Sequence, residues 1–82
     1  MALYFFDAPD IADLTGSECA DLADVRARAL RWSCELLSDL PERLWNGQPW
    51  TMTVSDASRV PLFTLRFQAE PAGTVAETVR SA

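Results

Sequence analysis

Histidine and lysine are both absent from the 82 residues, and cysteine occurs only twice. Without imidazole the chain lacks the side chain most used as a general base near neutral pH, and with it the commonest transition-metal ligand. A serine or cysteine nucleophile would have no imidazole to activate it, which argues against hydrolases of the triad type. Cys19 and Cys34 have neither a second cysteine pair nor a histidine to complete a zinc set, so they read as two reduced, partly buried thiols. Long apolar runs are missing too. No stretch nears the roughly 18 to 20 apolar residues of a membrane span, and Met1-Ala2-Leu3-Tyr4-Phe5-Phe6-Asp7 has neither the basic flank nor the length of a secretory leader. A soluble, cytoplasmic protein is expected.

Positive charge is scarce. Seven basic residues, all arginine, stand against twelve acidic ones, giving a net charge of -5 and a pI near 4.4. Such a field repels phosphate backbones and anionic lipid, which makes nucleic acid a poor partner and a membrane surface no partner. What remains is ordinary globular material. Hydrophobic residues at 49% and charged residues at 23% suit a packed domain rather than a disordered tail, and the length allows one core.

Periodicity gives the elements. Leu3-Tyr4-Phe5-Phe6 is a short apolar and aromatic run closed by Asp7-Ala8-Pro9-Asp10, which suits a buried strand. Its four apolar residues put Leu3 and Phe5 on one face and Tyr4 and Phe6 on the other. Turn residues around Asp13-Leu14-Thr15-Gly16 lead into a weak second strand near 17–20. A helix of about four turns follows, capped by Asp21 or Asp24 and stopped at Pro41. Its broad apolar arc holds Val25, Ala29, Leu30, Trp32, Leu36, Leu37 and Leu40, of which Leu36 and Leu40 are expected in the core. Between Pro41 and Pro49 a connector, a loop or a short helical turn, carries Leu44 and Trp45 as its pins. Trp50-Thr51-Met52-Thr53-Val54-Ser55 alternates with period two, Asp56-Ala57-Ser58-Arg59 turns, and residues 60–67 return with Phe63, Leu65 and Phe67 on one face. Pro61 belongs at the start of that strand or on a free edge. Residues 1–68 form the domain and 69–82 a tail, in which the capping box Thr74-Val75-Ala76-Glu77 is compatible with a short helix.

The order Tyr4-Phe5-Phe6-Asp7, Asp13-Leu14-Thr15-Gly16-Ser17-Glu18, Asp21-Leu22 with Arg26 and Ala29, and Trp50-Thr51-Met52-Thr53-Val54-Ser55-Asp56 resembles a family of small, mainly alphaproteobacterial proteins. That family belongs to the domains of unknown function and is number 6894 in their series. The resemblance runs from about Leu3 to Phe67, departing from the pattern in a shorter first loop, at Cys19, where leucine is usual, and at Ser58, where the last turn has glycine. It implies a β-β-α-β-β arrangement and supplies no activity, cofactor or functional residue.

Three groupings invite chemistry. Asp7, Asp10 and Asp13 recur every three residues, but without the Asp-x-Asp-x-Asp-Gly loop and distal glutamate of a calcium site they read as turn and capping groups. Arg26, Arg28 and Arg31 gather on two helical turns and read as a solvated face. Trp32 and Trp50 suit the core, whereas Trp45 beside Asn46-Gly47 suits a contact surface.

The expected fold is α+β, one antiparallel sheet of three or four strands packed against a single amphipathic helix. Such a domain buries one sheet face. The apolar residues left on the other, Leu3, Phe5 and Leu62, together with Trp45, are the expected contact residues of a homodimer, formed through that face or through an edge strand. No catalytic residue, metal or cofactor is expected. The function read from these features is a non-enzymatic protein-interaction or self-association module. Two other readings stay open: a ligand-binding or catalytic role for carboxylates and arginine in a cleft at a dimer interface, and an accessory DNA-binding or antitoxin-like role.

Overall fold

The computed structural model describes residues 1–72, and the short helix expected within 74–80 lies outside the described residues. Four strands, β1 (Ala2–Asp7), β2 (Ser17–Cys19), β3 (Trp50–Ser55) and β4 (Pro61–Phe67), form one antiparallel sheet in the order β2-β1-β3-β4. Two helices, α1 (Leu22–Asp39) and the single turn α2 (Glu42–Trp45), complete the expected β-β-α-β-β order with one addition in the connector.

Alternation decides which side of the sheet is covered. Tyr4 and Phe6 of β1, Cys19 of β2, Trp50, Met52 and Val54 of β3, and Phe63, Leu65 and Phe67 of β4 all belong to the core or pack against it. Phe6 meets Trp32 of α1 edge to face, with ring centroids 4.8 Å apart, and Trp50 meets Phe67 at 6.0 Å. Such pairs add about 0.5–1.5 kcal/mol to the burial of their own area.

Both ends of α1 are set by local chemistry. The Asp21 carboxylate accepts the Asp24 N–H at 2.8 Å, while the Asp24 carboxylate reaches back to the Ala20 N–H at 2.9 Å. The first bond satisfies a first-turn donor that has no partner within the helix, and the second ties the residue ahead of the cap to that turn. At the other end Leu40 leaves the helical conformation ahead of Pro41, whose ring disfavours a helical residue before it.

The buried stripe of α1 is narrower than the apolar arc and displaced from it. Val25, Ala29, Ser33 and Leu37 are buried, and Trp32 and Leu36 flank them. Leu30 and Leu40, at 52% and 42% exposure, are not core residues. Ser33 takes their place because its hydroxyl donates to the Ala29 carbonyl at 2.7 Å, which removes the cost of burying it. Its small volume and that of Ala29 bring α1 close over Met52, whose sulfur lies 3.5 Å from the same hydroxyl. Leu40 sits past the end of the helix, where the chain swings into α2.

Trp45 does not pin the connector. Leu44 packs against the core, whereas Trp45 is 72% exposed. The two thiols also differ from expectation: both are free, but Cys19 is buried and Cys34 is exposed. Gly16 closes the β1–β2 connection with φ of +74°, and a Cβ there would lie 3.0 Å from both the Leu3 Cδ1 and the Tyr4 carbonyl oxygen. Only glycine meets both conditions without a shift.

Candidate functional site

Leu3, Phe5 and Leu62 all lie on the sheet face opposite α1, as alternation requires, while Trp45 belongs to α2 and not to the sheet. Leu3 rests on Gly16 and is half-buried. Phe5 is covered by the guanidinium of Arg59, which lies 3.7 Å from the ring centroid. The same guanidinium donates to the Asp7 carboxylate at 3.2 Å and to the Asp13 carbonyl at 2.8 Å. Leu3 and Phe5 each have a neighbour within the chain and stay half-buried on this face. Leu62 remains 43% exposed, and its neighbours on this face are polar, with Thr53 and Thr64 joined through their hydroxyls at 3.1 Å.

Arg59 is the residue that pattern reading missed. It carries a left-handed backbone, φ 65°, inside a turn in which the Asp56 carboxylate accepts the N–H groups of Ser58 and Val60. The glycine-like conformation of the turn thus falls on Arg59 and not on Ser58. An aromatic stranded on an open face, beside a turn with one arginine, is the signal that could have located it.

The aspartates do structural work. Asp13 accepts from the N–H groups of Phe6, Thr15 and Gly16, and Asp7 accepts from the Asp13 N–H and from Arg59. Asp10 pairs with Arg43. Among the described residues no three histidine, cysteine, aspartate or glutamate side chains converge as a metal set. Of the three helix arginines, Arg28 is held by Asp24 at 3.0 Å, so Arg26 and Arg31 are left as the exposed cations of that face. No helix among the described residues is long and apolar enough to cross a membrane.

Asp24 is held below the usual carboxylate range, first by the Ala20 N–H and then by the Arg28 side chain. Burial pushes the Cys19 thiol up, which keeps it protonated and a poor nucleophile.

The sheet has two edge strands, the three-residue β2 and the seven-residue β4, and the longer one offers the greater free edge. β4 pairs with β3 on one side and, among the described residues, with no strand on the other. Its inward residues Phe63, Leu65 and Phe67 touch the core yet are only half-buried. A strand with free N–H and C=O groups beside a partly wet apolar stripe can accept another strand.

A family model described as Domain of unknown function (DUF6894) matches residues 3–68. No curated protein matches the chain. No solved structure matches it.

Proposed function

Starting from a chain that belongs to the DUF6894 family, we propose a non-enzymatic module that acts through protein contacts and pairs with a second copy of itself along β4. The observation that carries this reading is the free edge of β4 beside its half-buried Phe63, Leu65 and Phe67. An antiparallel pair centred on Thr64 would place Phe63 opposite Leu65, Leu62 opposite Arg66 and Thr64 opposite Thr64. All seven residues of the strand take part, and no like charges meet across the pair. The inward stripes of the two copies then join into one apolar band. Trp45 stands apart from this edge and serves as a separate exposed contact residue of α2.

Sedimentation velocity from micromolar to millimolar protein tests the pairing, with a dimer mass expected at the upper end. Thr64→Lys and Thr64→Glu change an exposed side chain on the open face, and each alone should give monomers because like charges would meet at the centre. Mixing the two variants should restore the dimer. A monomer mass for the parent at every concentration overturns self-association, and a dimer indifferent to both substitutions overturns the β4 edge as its site.

A further inference from the structure

Away from the β4 edge, the helix layer holds a groove of about 560 Å³ between the second half of α1 and residues 11–17, the loop that leads into β2 and its first residue. Phe6 and Met52 form its floor, and Trp32 and Leu36 form the helix wall. Ile11 and Leu14 line the loop side and are 49% and 83% exposed, so the apolar surface continues out of the cavity onto the loop. That extension suits a length of chain better than a compact small molecule.

Its charge is one-sided. Glu35 and Asp39 stand on the helix rim one turn apart. Like charges at that spacing oppose the helix, and Asp39 is its final residue, where the macrodipole already disfavours an acid. No basic residue occupies the last turn to compensate. Among the described residues the salt bridges use Asp7, Asp10 and Asp24, and neither Glu35 nor Asp39 makes a hydrogen bond through its side chain. Asp13 also borders the groove, but its carboxylate is committed to the N–H groups of Phe6, Thr15 and Gly16. Two uncommitted carboxylates placed against the preferences of their own helix, over a wet apolar trough, complement a cation attached to an apolar body.

We propose that this groove binds a peptide segment of another protein, in which a bulky apolar side chain is flanked by arginine or lysine. The apolar side chain enters between Trp32 and the loop, and the cation meets Glu35 and Asp39. This site is independent of β4 pairing.

Selection of a phage-displayed random peptide library on the full chain tests it. Enriched sequences should pair an aromatic or leucine with a neighbouring basic residue, and the strongest, made as a labelled synthetic peptide, should bind in fluorescence anisotropy. Glu35→Gln combined with Asp39→Asn should weaken that peptide by about tenfold or more. The same double variant should melt no lower than the parent, because it relieves a like-charge pair, and this separates lost binding from lost folding. Leu14→Asp, at an exposed loop position, should also abolish binding, whereas Thr64→Lys on the opposite sheet face should leave it intact even where it breaks the dimer. A selection with no enrichment, enriched peptides without a cation, or affinity unchanged by the double variant overturns the proposal.

Discussion

Arg59 shows how one side chain replaces a layer of structure. A two-layer α+β domain leaves one sheet face without a helix, and here a single guanidinium covers Phe5, the one aromatic on that face among the described residues. The backbone carries the cost, since a non-glycine residue in the left-handed region is disfavoured by roughly 1 kcal/mol. Arg59→Gly removes that cost but loses the ring contact, about 0.5–1 kcal/mol at an exposed site, together with the hydrogen bonds to Asp7 and Asp13, so it should be somewhat less stable than the parent. Arg59→Ala keeps the strain and loses the contact, and should be less stable than Arg59→Gly by about 1 kcal/mol in urea unfolding. Equal stability of the two variants would show that the turn conformation is not what the residue costs. The thiols allow a second prediction at this scale. Maleimide should label Cys34 in the native protein, and Cys19 should react only once the chain is unfolded, because it is buried and its thiol is pushed up by that burial. Rapid native labelling of both would contradict the packing of β2 under α1.

At the scale of the element, α1 gives the sharpest expectation. Leu37 is buried at 8% exposure and Leu40 lies 42% open, so Leu37→Ala should cost about 2–5 kcal/mol and Leu40→Ala much less. Thermal melts of the two variants decide it, and comparable losses would place the buried stripe wrongly. The helix start should respond to pH. The folded pKa of Asp24 lies below its unfolded value, so its contribution is fully present above the ordinary aspartate range and is lost as pH falls through the lowered folded value. Asp24→Asn should therefore flatten the acid limb of the stability profile below the ordinary aspartate pKa, and an unchanged limb would assign that limb to other carboxylates. Strands β1, β3 and β4 and the limits of α1 were legible in the sequence, because period two, a capping aspartate and a proline stop each act within a few residues. The centre of the α1 stripe was not, because apolar residues spread widely around the helix and the choice of Ser33 over Leu40 depends on the distance to Met52. The cover on Phe5 was equally hidden, since it comes from a turn more than fifty positions away. The groove by residues 11–17 needed the relative placement of loop and helix, which no local pattern encodes.

For the whole molecule, net charge separates the two proposed contacts. Two copies at -5 each repel at long range, so β4 pairing should tighten as salt rises and the screening length falls to a few Å near 1 M. Capture of a cationic peptide by Glu35 and Asp39 should weaken over the same titration. Sedimentation and anisotropy run in parallel across ionic strength read both trends, and trends in the same direction would mean that one contact is misassigned.

The strand order has a consequence for how the protein is made. β1 lies between β2 and β3, and the register joins Phe5 to Ser55 and Phe6 to Val54. A nascent chain thus releases β1 some fifty residues ahead of its central partner β3, a delay of several seconds at about 5–20 residues per second. During that interval the first hairpin and α1 can form, but the sheet they cover lacks its middle. Chains halted before Trp50 should occupy chaperones rather than fold, and slow codons placed just ahead of it should lower the yield more than the same codons placed after Phe67.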